Sequence, residues 1–400
     1  MSSPAFSPAL DRPSPRDPRR RRRALLRLGV GVPALAVGLL VPAPPAWAGS
    51  SGTVHVSVDG SDSADCGGRG DPCRTIAHGV ERAEAGGTVA VGPGTYHEQV
   101  VVTEELDLEG SDAVIDASGL QSGSGAELDA AALLLTPSAS GSSVEGFTVR
   151  GAFGEGVLVL GATDVRIAHN TVTGNDLGTP STTSYLECQP QGDVPGDCGE
   201  GLHLMSARDA AVVANHVTGN SGGILVTDEF GPASGNRIIG NLAEGNSWDC
   251  GITLPSHNPN ALAADGTPQA DKGGVYGNLV AHNAVVHNGA KGEGAGVLVA
   301  AAGPGMASYD NRIVGNEIRD NGMPGVTVHS HTPNQDVSGN LIAGNDIGVN
   351  NLNGDEDAKV TATTGILIFS AVVPVSETVA DNDIHGNAVP IWTSPNVTVH

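Results

Sequence analysis

One short pattern of apolar and polar positions recurs along the chain. A glycine is followed by alternating aliphatic residues: "GVLVL" at 156, "GLHLM" at 201, "GILVT" at 223, "GITLP" at 251, "GVLVA" at 296, "GVTVH" at 325 and "GILIF" at 365. Alternation with period two predicts strands that bury one face. The glycines at 201 and 223 lie 22 residues apart. That length accommodates one turn of three short strands rather than a hairpin or a helix pair.

A second repeat precedes these strands. Asparagines recur as N-x4-N: Asn170/Asn175, Asn215/Asn220, Asn236/Asn241/Asn246, Asn278/Asn283/Asn288, Asn311/Asn316/Asn321, Asn340/Asn345/Asn350 and Asn382/Asn387. Between them lie pieces such as "TVTG", "RIIG" and "LIAG", each with one or two side chains suited to an inward face. Rungs of this kind stack in parallel, about 4.8 Å apart, like residue over like. Stacked asparagines then hydrogen-bond along the turns, and their tolerance of left-handed backbone fits that place. The composition agrees. Glycine is high at 57 residues and aromatics are only 3%, which a repeat explains better than a layered core.

The segment "VHVSVDGSDSADCGGRGDPCRTIAHGVERAEAGGTVAVGPGTYHEQVVV" (54–102) carries the most specific likeness. It resembles the opening of secreted parallel β-helix proteins of the pectin-lyase-like superfamily. The matching parts are a Gly60-Ser61-Asp62 loop, a Pro72-to-Ile76 helix start and the Gly87-to-Glu98 strand pair. The resemblance implies an all-β fold: a single right-handed parallel β-helix with three strands per rung. Residues 75–85 are expected to form a short helix, with Ile76 and Val80 on one face, that caps the open sheet edge. The expected organisation is a leader over 1–48, a cap and first rungs over 49–110, and the solenoid over 111–400.

Departures from the 22-residue spacing mark insertions at 176–198, 256–275, 289–294 and 351–364. Such loops would wall a groove floored by the outward face of the glycine strands, and loops on a rigid scaffold are where function collects. Aligning the strands on their glycines puts His203, Asp228, Glu229, Asp249, His257, His329 and His331 in the walled stretch. Glu229 and His257 share a column on successive rungs. Asp228, Glu229, Asp249 and His257 are the expected acid/base groups. His203, His329, His331 and Trp248 are expected to hold substrate, with Trp248 stacking a sugar ring.

Two carboxylates across a glycosidic bond support hydrolysis. A base beside a metal-neutralised uronate supports elimination. Equally, Asp228 can cap a turn and the histidines can be solvated. Polygalacturonases resemble one another in Asn-Thr-Asp, Asp-Asp, Gly-His-Gly and Arg-Ile-Lys, and none of these strings occurs here. In "NLNGDEDA", Asn351, Asn353, Asp355 and Asp357 alternate with a glycine between them. Oxygen ligands at that spacing can wrap Ca²⁺.

Residues 1–48 read as a secretory leader. Arg19 to Arg23 precede an apolar run from Leu25 to Val41, and Ala46-Trp47-Ala48 offers a cleavage site. "RRALLR" is similar to the twin-arginine export motif. The run is short for a membrane span and broken by Pro33, so no stable span is expected in the mature chain. The whole chain has 20 basic and 44 acidic residues; removing eight arginines and two aspartates leaves 12 and 42, a net of −30. Nucleic acid is excluded as a partner, since no basic patch could neutralise phosphates. An anionic polymer needs a bridging cation such as Ca²⁺. Export permits disulfides, and Cys66/Cys73 and Cys188/Cys198 are the expected local pairs, with Cys250 a buried free thiol.

These observations predict a protein secreted by a bacterium, extracellular or on the cell surface, acting on a polysaccharide or cell-surface glycan as a lyase or hydrolase. A non-catalytic glycan-binding or structural β-helix is the alternative. A periplasmic metal-maturation role shares the fold, but no Met or Cys/His cluster supports soft-metal binding. The chain stops at "NVTVH" without a polar cap, which leaves the solenoid ends open to an oligomeric contact.

Overall fold

The structure is a computed structural model and describes residues 52–120, 131–176, 199–292 and 294–400. The expected leader, the Cys188/Cys198 pair and most of the 176–198 insertion lie outside these residues.

The glycine strands form one ten-stranded parallel sheet in chain order. Its strands are β1 (Val100–Val102), β2 (Leu133–Leu135), β3 (Val157–Leu160), β4 (Glu200–Met205), β5 (Gly222–Thr227), β6 (Ile252–Ser256), β7 (Val297–Ala301), β8 (Val326–Ser330), β9 (Thr364–Ser370) and β10 (Val389–Thr393). Two further strands follow in the central rungs, and in three of these a two-residue strand precedes them (Ala233–Ser234, Val275–Tyr276 and Ser308–Tyr309). After β5 the two are Arg237–Ile239 and Leu242–Glu244, which pair in parallel with Leu279–Ala281 and Ala284–Val286 of the next rung. Neighbours in space are therefore successive rungs, the arrangement of a right-handed parallel β-helix.

Register stacks the core like over like. Val157, Leu202, Ile224, Ile252, Val297, Val326 and Ile366 form one inward column, and each is fully buried. Each such side chain contributes about 1.5–3 kcal/mol by burial.

The asparagines form three ladders at the corners. In the first, Nδ2 of Asn215 donates to Oδ1 of Asn241 at 3.1 Å, Asn241 to Asn283 at 3.0 Å and Asn283 to Asn316 at 3.0 Å. The backbone N–H groups of Asn215, Asn241 and Asn283 reach the same oxygens at 2.9, 2.8 and 2.9 Å. The left-handed residue is the one before the asparagine: Ala214, Gly240 and His282 have φ of 53°, 66° and 55°. This turn explains why "GN" and "HN" recur. Each corner buries polar backbone that the amide ladder satisfies.

The capping helix α1 (Ile76–Arg82) buries Ile76, and Val80 packs against the core. Thr75 caps it by accepting from His78 N, and Glu98 accepts from Ile76 N and Ala77 N, both at 2.8 Å. Asp62 of the Gly-Ser-Asp loop accepts from Arg74 N at 2.7 Å and Thr75 N at 3.0 Å. The Cys66–Cys73 disulfide closes this region, and Cys250 is free and buried.

Candidate functional site

Glu229 follows the end of β5, and His257 follows the end of β6. Because Ile224 pairs with Ile252, position 229 falls opposite 257. Glu229 Oε1 and His257 Nδ1 are 2.8 Å apart. The other carboxylate oxygen, Oε2, accepts from the Thr227 hydroxyl. Thr227 Oγ1 lies 2.7 Å from His203 Nε2, and His203 Nδ1 lies 3.1 Å from Glu155 Oε1. A continuous polar chain thus runs from Glu155 and His203, both buried, to His257, whose side chain is 41% exposed. Burial pushes the Glu229 carboxyl up. The hydrogen bond with His257, the charges of His203 and His257 and the Thr227 hydroxyl more than offset it, bringing the carboxyl down to about 2. Glu229 is therefore an ionised acceptor.

Asp228, one residue earlier, is taken up by structure. Its Oδ1 accepts from His257 N at 2.7 Å and Asn258 N at 3.2 Å; Oδ2 accepts from Ser256 Oγ at 2.9 Å and Gly274 N at 2.5 Å. Burial raises its carboxyl against these four bonds. Both ends of the 256–275 insertion are thereby tied to β5. Asn258, which the strand alignment passes over, completes the clamp by donating from Nδ2 to Asp228 O at 3.1 Å and Lys272 O at 2.9 Å.

The expected convergence of Asp249 with Glu229 and His257 does not occur. Asp249 precedes β6 and His257 follows it, so the whole length of the strand, about 16 Å for five residues at about 3.3 Å each, lies between them. Asp249 Oδ1 instead accepts from Cys250 N at 2.6 Å, and burial raises its carboxyl. Trp248 shares that opposite edge, where Lys291 Nζ lies 5.7 Å from its ring centroid. The groove floor is also less open than the alternation suggests: Leu134, Leu158 and Met205 form a second, buried apolar cluster with Ala131.

The expected calcium ligands each take partners within the protein. Asn351 donates from Nδ2 to Val360 O at 3.0 Å and Ala362 O at 2.7 Å, while Asn353 donates to Gly289 O at 2.8 Å and Gly292 O at 3.1 Å. Both amide nitrogens serve backbone carbonyls, and the Asn351 Oδ1 is buried without a hydrogen-bond partner. Asp355 and Asp357 instead approach His329 and His331. His329 is buried among them, which removes it from the surface a substrate would touch. Beyond these histidines runs an aromatic row: Phe369 lies 5.5 Å from His331 and 6.5 Å from Trp392 between centroids.

Comparison with known proteins adds the following. The family described as "Periplasmic copper-binding protein (NosD)" matches residues 140–317, less than half of the chain. No curated protein sequence matches. Among solved structures, the chain is similar to the A-module of mannuronan C-5 epimerase AlgE4 from Azotobacter vinelandii (16% identity, 79% of this chain and 91% of that one, TM-score 0.48). It is also similar to an alginate lyase from Paenibacillus sp. str. FPU-7 (12% identity, 86% and 99%, TM-score 0.49) and to a DFA-IIIase from Arthrobacter chlorophenolicus A6 (14% identity, 86% and 92%, TM-score 0.44). Its strand order and rung register make the chain a right-handed parallel β-helix protein.

Proposed function

We propose that the protein is a carbohydrate-active β-helix that cleaves a uronate-containing polysaccharide by elimination, with His257 as the base. The observation that carries this reading is the Glu229–His257 pair at the end of the polar chain from Glu155. An ionised Glu229 accepts the Nδ1 proton and makes Nε2 the basic nitrogen. That nitrogen would take the proton α to a uronate carboxyl. The C–H electron pair becomes the new double bond, and the glycosidic C–O bond breaks as its oxygen takes up a proton. Since the chain is strongly acidic, a substrate carboxylate needs a cation to neutralise it.

Hydrolysis is the less supported chemistry, because it needs a protonated acid facing a second carboxylate. Glu229 is held ionised, Asp228 is filled by donors, and Asp249 is at the other edge. A non-catalytic glycan binder is the second reading, favoured by the burial of Glu155 and His203, which makes them structural polar partners.

His257→Gln separates the two readings. A base whose loss costs about 10²–10⁴ in turnover, at nearly unchanged melting temperature, supports the enzyme. Unchanged turnover in the variant contradicts it.

A further inference from the structure

Loop 351–360 folds back on β8, fixed by Asp355 N to Val360 O at 2.8 Å and Val360 N to Asp355 O at 3.0 Å. This brings two carboxylates onto two histidines of one strand. Asp355 Oδ2 lies 3.0 Å from His329 Nε2, and its Oδ1 accepts from Ala358 N at 2.8 Å. A carboxylate only accepts, so Nε2 is the nitrogen that donates to Asp355, and Nδ1 is the nitrogen that faces Asp357. Asp357 Oδ2 lies 3.6 Å from that Nδ1 and 3.6 Å from His331 Nε2.

Those two separations are the informative ones. They exceed the 2.7–2.9 Å of a charge-assisted hydrogen bond. Asp357 is half exposed. Two ligands of one tetrahedral ion, each about 2.0–2.1 Å from it, stand roughly 3.3–3.5 Å apart. His329, His331 and Asp357 each offer one ligand atom, and these atoms lie within 4.8 Å of one another. The Asp355–His329 bond is the carboxylate–histidine contact that orients a metal-bound imidazole.

We propose that His329 Nδ1, His331 Nε2 and Asp357 Oδ2 bind a divalent transition ion of the Zn²⁺ class, with Asp355 as the positioning residue. Two nitrogens and one oxygen do not suit Ca²⁺, which takes six to eight oxygens, whereas they suit Zn²⁺ with one coordination position left over. The site lies past residue 317, where the NosD family match ends. It does not depend on the elimination chemistry proposed at Glu229.

The test uses tag-free protein, residues 49–400, stripped by chelator and titrated calorimetrically with Zn²⁺ alone. A single equivalent should bind at micromolar Kd or tighter, and excess Ca²⁺ should not displace it. His331→Ala and Asp357→Asn change half-exposed side chains and should leave the melting temperature near wild type while weakening Zn²⁺ at least about tenfold. Asp355→Asn should weaken it by about 10–100-fold. Co²⁺ in place of Zn²⁺ should give a visible absorption band that the His331→Ala, Asp357→Asn double variant lacks. No Zn²⁺ uptake, or uptake unchanged in that folded double variant, overturns the proposal.

Discussion

The third asparagine ladder ends on an acid, and that acid gives a quantitative prediction. Asn236, Asn278, Asn311 and Asn340 stack in one column, and Glu377 takes the next place. Glu377 accepts from Asn340 N at 2.6 Å and from Asn340 Nδ2 at 3.1 Å and is 1% exposed. Burial, helped by the charges of Asp336 and Asp310, pushes its carboxyl from 4.5 up to about 8 despite those bonds. A carboxyl with a raised folded value binds its proton more tightly when folded. Its stabilising contribution is therefore complete below about 4.5 and is lost as pH rises to about 8. The shift, about 8 minus 4.5, sets a ceiling of about 5 kcal/mol at 1.36 kcal/mol per unit, and about 4 kcal/mol of it falls between pH 5 and pH 8.5. Glu377→Gln removes the titration, and one amide oxygen can accept both Asn340 donors, as each ladder asparagine does. Urea unfolding of both proteins at about pH 5 and about pH 8.5 should show the variant gaining about 4 kcal/mol on wild type across that interval. Hydrogen exchange at Asn340 reads the same gain if the last rungs open first. Parallel stability profiles, within about 1 kcal/mol, would refute a buried titrating carboxyl at this position.

Three further outcomes follow from the same structure. Asn283→Ala should cost about 2–6 kcal/mol in a denaturant melt, since it strips partners from two buried backbone groups, Asn241 N and Ile238 O; a loss under about 1 kcal/mol would mean the ladder is not needed. Asp228→Ala should free the 256–275 loop, seen as faster proteolysis there, and destabilise by a few kcal/mol, whereas Glu229→Gln should keep the loop protected and lower turnover. Cys250 is buried with its thiol pushed well up by burial and the nearby Asp249, so a thiol reagent should label nothing in the native protein and a single site after unfolding; three sites would mean that Cys188 and Cys198 are not paired.

The fold was largely legible because a parallel β-helix writes its geometry as a period. The glycine strands, the asparagine corners, the Ile76–Arg82 cap and the Glu229–His257 column all follow from spacing. What failed did so for definite reasons. Alignment on the glycines gathers Asp249, two residues before Gly251, and His257, six after it, into one walled stretch, although β6 runs between them. Spacing also cannot say which partners an amide takes, and Asn351 and Asn353 both donate from nitrogen to backbone carbonyls. Asp355 reaching His329 depends on a loop folding back, which no local pattern encodes. Glu377 was hidden because it replaces an asparagine in a ladder whose other members carry the signal.

The central claim is that the end of β5 and β6 performs proton abstraction on a polysaccharide. Its most direct test is to incubate residues 49–400 with neutral and uronate polysaccharides, with Ca²⁺ and with chelator. Reducing ends and the ultraviolet absorbance of unsaturated uronate are read together. The account predicts both signals on a uronate polymer, dependent on an added cation and absent in His257→Gln. Reducing ends without absorbance, or silence from folded protein across the panel, would contradict it.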